Sequence, residues 1–351
     1  MKFSVGYQLP DEHEEPLVDL VSDYREHVAE VYFAWAGMPS GRANLTERRG
    51  YVDWTGQRRL EADLAALRQM GVRLNLLLNA NCYGGLAVSQ YLKNQVASLL
   101  DHLGDLTGGV DAVTTASPAV AAMVKEHSPQ VEVRASVNMR IGTVDGMAYV
   151  AHLFDGYCVQ REHNRDLAHL ARLRQWADRE GKRLTLLANS GCLPHCSGQT
   201  FHDNLVAHER EVDETLNVPG WSPTVCRGFL RDRSHWPVLL RSTWIRPEDV
   251  ARYEGRVDQM KLATRMHSRP RLVLDAYARG RHVGNLLDLL EPGFAGALAP
   301  MVIDNTRFPD DWFERTSTCG RRCETCDYCE RVLEDVLVNV ESPPARGAAR
   351  R

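Results

Sequence analysis

The chain has 351 residues, 44% hydrophobic and 25% charged, enough for one large domain or two small ones. Its net charge of -4 gives no general electrostatic case for nucleic-acid binding. No apolar run reaches the roughly 18 residues of a membrane span, and MKFSVGYQLPDEHEE lacks the apolar core of a signal peptide, so a cytoplasmic setting without membrane attachment is expected.

In chain order, short apolar runs predict strands at Lys2–Tyr7, Val28–Trp35, Val72–Asn79, Asp111–Thr115, Val131–Val137, Gly156–Gln160, Arg183–Ala188 and Asp258–Leu262. Helical patterns lie between most of them. They include LEADLAALRQMG before Val72, SQYLKNQVASLLDHLGD from Ser89, PAVAAMVKEHS from Pro118 and LAHLARLRQWADREGK from Leu167. The last meets Gly181, a usual helix stop. Strands alternating with helices predict parallel βαβ units, and about eight of them predict an α/β fold of the (β/α)8 TIM-like barrel type over residues 1–310. A doubly wound sheet is the alternative, but the first strand lacks a GxGxxG turn. Residues from about 197 to 236, with Pro219, Trp221, Pro223 and Cys226, break the rhythm and read as an insertion. A Cys-rich segment is expected over 311–335 and a disordered tail over 336–351, ending ESPPARGAARR.

Seven of the nine cysteines fall into two groups. Cys192 and Cys196 follow the run RLTLLANSG, just past the carboxyl end of a strand, where barrel active sites are built. Cys226 is a third member. A three-residue gap lets two thiolates converge on one ion or cluster, and in a reducing compartment ligation of iron or zinc outranks disulfides. Three cysteines from a loop and an insertion fit a [4Fe–4S] cluster better than a zinc ribbon. Cys82, in NANCYGG at the same barrel face, His195, His202 or a C-terminal cysteine would supply the fourth ligand. Against this stands the plain reading that Cys82 and Cys158 are small buried residues.

The second group, Cys319, Cys323, Cys326 and Cys329, packs four thiols into eleven residues. It suits a second [4Fe–4S] cluster or a zinc ion, structural or electron-transferring. The x3-x2 spacing of its first three cysteines matches a radical-SAM motif, but that motif belongs after the first strand and leaves an open iron site. Polar residues where strands end are further candidates for catalysis or substrate binding: Asn138, Arg161, Glu162, Arg246, Lys261 and Arg265. Each has the competing reading of a cap or salt bridge. His202 and His208 lie in a helical stretch and read as surface residues. There is no HExxH, no GxSxG and no evident Cys–His pair.

The order RASVNM, CVQREHNRDL, LLANSGCLPHC, WIRPEDVARYEGRVDQMKLATR, YARGRHVGNLLDLL and a closing C-x3-C-x2-C-x-Y-C resembles the peptidase U32 family over about residues 130–330. The resemblance implies a TIM-like barrel with a [4Fe–4S] cluster. By position, Cys192, Cys196 and Cys226 match its ligand sites. It also implies oxygen-independent hydroxylation or related redox chemistry on a small molecule or RNA base, served by an electron donor or protein partner. A collagenase-like peptidase and a non-catalytic iron–sulfur scaffold are the alternatives. The family's glutamate before the first cysteine is Leu184 here, and the x3 gap is closer to the quinone-pathway branch.

Overall fold

A computed structural model describes residues 1–10, 14–41, 53–213 and 215–341. Eight parallel strands close into a barrel: β1 (Phe3–Gly6), β2 (Val28–Ala34), β3 (Arg73–Leu78), β4 (Ala112–Thr115), β5 (Glu132–Ala135), β6 (Gly156–Cys158), β7 (Arg183–Leu187) and β8 (Gln259–Lys261). Each lies within one of the eight expected runs. Closure comes from β1 beside β8, with Phe3 opposite Met260 and Ser4 opposite Lys261. Parallel strands need crossovers, and helices such as Gln90–Thr107, Pro118–His127 and Leu167–Arg179 supply them. Local chemistry sets their ends. Ser89 Oγ accepts the Leu92 N–H at 3.1 Å, and Gly108 closes the same helix at φ 74°.

Polar side chains meet in the barrel interior. Glu30 is fully buried and accepts hydrogen bonds from Arg134 Nη1 (2.9 Å) and Nη2 (3.1 Å), Asn75 Nδ2 (2.8 Å) and Ser4 Oγ (2.7 Å). Thr114 Oγ1 extends the network to Asn75 Oδ1 at 2.9 Å. Both carboxylate oxygens of Glu30 thus have donors, which a buried charge requires.

The insertion between β7 and β8 is helical: Gln199–Ala207, Glu209–Asp213, Val225–Phe229 and Pro237–Arg241. After β8 the chain adds helix Pro270–Arg279, strand β9 (Met301–Ile303), helices Trp312–Ser317 and Tyr328–Val336, and strand β10 (Leu337–Asn339). β10 pairs antiparallel with β9, Leu337 opposite Ile303. The disordered tail expected from residue 336 is therefore corrected: order runs through this antiparallel pair, because β9 offers a backbone partner that local sequence pattern does not reveal. The rest of that expectation, 342–351, lies outside the described residues. Trp312 is buried against Trp244, ring centroids 5.8 Å apart. Arg165 lies over both rings and donates to the Leu240 carbonyl at 2.8 Å and to that of Ser242. Among the described residues no helix is long and apolar enough to cross a membrane.

Candidate functional site

Because the strands are parallel, the loops after β3, β5, β6, β7 and β8 all open on the carboxyl face of the barrel. The loop after β7 is fastened before its first cysteine. Asn189 donates to the Ala263 (3.2 Å) and Leu289 (2.9 Å) carbonyls and accepts from the Ala263 N–H at 2.6 Å. Gly191 donates to the Glu291 carbonyl at 3.0 Å. A Cβ on Gly191 would lie 2.1 Å from the Pro292 carbonyl oxygen, so only glycine fits.

Arg161 and Glu162, just after β6, hold the cysteine loop from below. Arg161 Nη1 donates to Ser190 Oγ at 3.3 Å, and the guanidinium charge acts on Cys192. Glu162 Oε1 accepts the His195 N–H at 3.3 Å. Burial would raise the Glu162 carboxyl, but backbone N–H groups and Arg161 hold it below the usual range. His195 itself adopts φ 52° in the turn between the two cysteines. The insertion brings the third thiol: Val225 packs onto Gly198, where an added Cβ would lie 2.7 Å from Val225 Cγ2, placing Cys226 beside the loop. Burial, then the negative charge of Cys192 and Cys196, pushes the Cys226 thiol up. Three sulfurs thus share one locale, with the buried Arg161 beside Cys192.

The C-terminal group is assembled differently. Cys319, Cys323 and Cys329 line a cavity of about 290 Å³ whose other walls include Arg165, His195 and Arg241. Burial first, then Cys323 and Cys319, pushes Cys329 up to about 11, against the pull of Arg165 and Arg241. Cys326 is exposed and stands outside this lining. His195 therefore joins the two cysteine groups, since it lies between Cys192 and Cys196 and walls the second cavity.

The remaining sequence candidates separate. Lys261 Nζ sits 3.7 Å above the Tyr32 ring, and burial pushes its amine down to about 8. Arg265 Nη2 donates to Ser40 Oγ at 3.0 Å. Asn138 Nδ2 and Asn79 Nδ2 both crowd Gly41, within 3.0 Å of the Cβ that glycine lacks. These sit at the mouth. Arg246 is instead engaged by Asn305, through Oδ1 and the carbonyl at 3.0 Å each, and lies over Phe308. Cys158 is a buried barrel residue whose thiol burial pushes up.

His208, at the end of helix Gln199–Ala207, comes close to the Cys82 loop: its Cε1 lies 3.7 Å from where a Gly84 Cβ would be, and its Nδ1 meets Glu211 Oε2 at 2.5 Å. The approach joins the β3 loop to the distant insertion, so no local motif announces it.

The donor chemistry of Cys192, Cys196 and Cys226 suits iron or zinc: soft sulfurs, with a cation to balance thiolate charge. Among the described residues, however, no three His, Cys, Asp or Glu side chains stand close enough together to hold an ion as they are. The fit is one of donor type and neighbourhood, and the sulfurs would draw together around the group they bind.

No family model matches the chain. The uncharacterized protease MJ1657 of Methanocaldococcus jannaschii is 23% identical over 273 residues, 77% of this chain and 79% of its own length. The solved structure of the U32 peptidase Mk0906 superposes with a TM-score of 0.52 at 16% identity, covering 74% of this chain and 91% of that one. The structural likeness concerns the fold.

Proposed function

We propose, from the premise that the chain belongs to the peptidase U32 family, that it is an iron–sulfur protein acting in redox chemistry. The reaction class would be oxygen-independent hydroxylation or a related step on a small molecule or RNA base. The observation that carries this reading is the neighbourhood of Cys192, Cys196 and Cys226 past the end of β7, with the buried Arg161 beside Cys192. Those three thiols would hold a [4Fe–4S] cluster, which when bound supplies single electrons. Cys319, Cys323, Cys326 and Cys329 would hold a second cluster or a zinc ion.

The chain's own residues do the rest. Arg161 offsets thiolate charge, and Glu162 holds the loop through the His195 N–H. Asn138 and Arg265 offer donors to a polar or anionic substrate. Lys261 has an amine poised near neutrality, able to hold or release a proton. Reducing equivalents come from an external donor or protein partner in the cytoplasm.

Anaerobic purification followed by iron, sulfide and zinc counting tests the proposal. About four or eight irons per chain, with matching sulfide, is the expected result. Cys192→Ala should lose the iron of the first group. Zinc alone, near one per chain, would overturn the redox reading. Peptide cleavage that survives full removal of iron would favour hydrolysis, the activity named for both relatives.

A further inference from the structure

We propose that the cleft between helices Trp54–Gln69 and Gln90–Thr107 binds an organic cation, a primary ammonium carried on a compact apolar body. The cleft has a volume of about 680 Å³. Helical spacing builds its two walls. Trp54, Gln57 and Glu61 recur on one face of the first helix, while Leu60, Leu64 and Leu67 bury a different face of it. Tyr91 and His102 stand three turns apart on the second helix. Trp35 joins them from the loop after β2, where the Met38 N–H donates to the Trp35 carbonyl at 3.1 Å and Gly37 takes φ 82° to close the turn.

The polar atoms on the walls are mostly arranged as acceptors. Glu61 Oε1 accepts a hydrogen bond from Gln57 Nε2 at 2.8 Å and meets His102 Nε2 at 3.1 Å. The Trp35 and His102 rings cross at 65° with centroids 5.5 Å apart, which steadies the imidazole against the carboxylate. With its nitrogen engaged by Glu61, the Gln57 amide leaves its oxygen buried and without a hydrogen-bond partner among the described residues. A buried acceptor of this kind calls for a donor.

Charge and ring faces then select the ligand. Among the described residues, Glu61 is the one carboxylate lining the cleft, and no lysine or arginine lines it. Trp54 and Tyr91 are 66% and 60% exposed, and a tryptophan and a tyrosine left in water beside a cavity mark a recognition surface. The faces of Trp35, Trp54 and Tyr91 attract positive charge, and the Glu61 carboxylate adds to that attraction. An anion would be repelled by Glu61 and by the ring faces alike, and a neutral polyol would leave the charge unmatched. A primary ammonium matches both, with N–H groups for Gln57 Oε1 and Glu61 and an apolar body for the rings.

No cysteine among the described residues lines the cleft, so the site stands whatever the two cysteine groups bind. Calorimetric titration of the full chain with cyclohexylammonium, and with its neutral isostere cyclohexanol, tests it, with tryptophan emission read in parallel. Expected is saturable binding of the ammonium that shifts the emission, and binding of the alcohol weaker by about 10-fold or more. Glu61→Gln should weaken the ammonium by about 10-fold and leave the alcohol unchanged. Tyr91→Ala, at an exposed ring, should weaken the ammonium by about 2–5-fold. Near-UV circular dichroism checks that both variants keep the fold. Absence of saturable ammonium binding, equal binding of ammonium and alcohol, or unaltered ammonium binding in folded Glu61→Gln overturns the proposal. So does methyl β-glucoside binding more tightly than the ammonium, which would make the cleft a sugar site.

Discussion

Glu30 and Arg134 show how one pair of residues governs the stability of the barrel interior. Burial alone would raise the Glu30 carboxyl, but the Arg134 charge and the hydrogen bonds from Arg134, Asn75 and Ser4 hold it down at about 2. Arg134→Met leaves that carboxylate buried without its counter-charge. Urea unfolding should show a loss of about 3–5 kcal/mol. The sign of the pH effect follows from the depressed value. The unfolded carboxyl titrates at about 4.5, so the stabilisation is complete above that pH. It is lost as pH falls from there toward 2, and Glu30→Gln should flatten the acid limb of the stability curve over that window. At this scale the sequence was legible only in part. Cys192 and Cys196 announce themselves by spacing. The approach of His208 to the Cys82 loop does not, because it joins the β3 loop to the insertion.

At the scale of elements, the strands were legible because a parallel barrel strand is buried on both faces and reads as a short apolar run. The helices were legible from their caps and glycine stops. The β9–β10 pair was not, since three-residue strands carry no period and depend on a partner far along the chain. The roles of Arg161 and Glu162 also lie at this level: as neighbours on one turn they fasten a different loop. Gly191 is the rigid point of that loop. Gly191→Ala must displace either the Pro292 carbonyl or the turn itself, since none of the three nearest atoms is the end of a flexible side chain. The variant should retain folded circular dichroism. It should lose at least half of the metal bound by Cys192, Cys196 and Cys226, while metal held by the C-terminal group stays near wild type.

At the scale of the molecule, the C-terminal segment is part of the barrel's packing. Trp312 is buried between Trp244, Phe308 and Tyr328, with Arg165 across the ring. Trp312→Ala should cost about 3–5 kcal/mol. Limited proteolysis should then cut the Cys-rich segment sooner than in the wild type, with the barrel core surviving longer. Equal cutting rates would show that the segment docks without Trp312. The way the barrel closes also bears on how the chain is made. Phe3 and Ser4 find their β8 partners only at Met260 and Lys261. Until those residues have left the ribosome, β1 has an unpaired edge and the growing sheet stays open. The nascent chain must therefore carry an incomplete sheet through most of its synthesis, exposed to the wrong strand partners for as long as translation takes to reach β8.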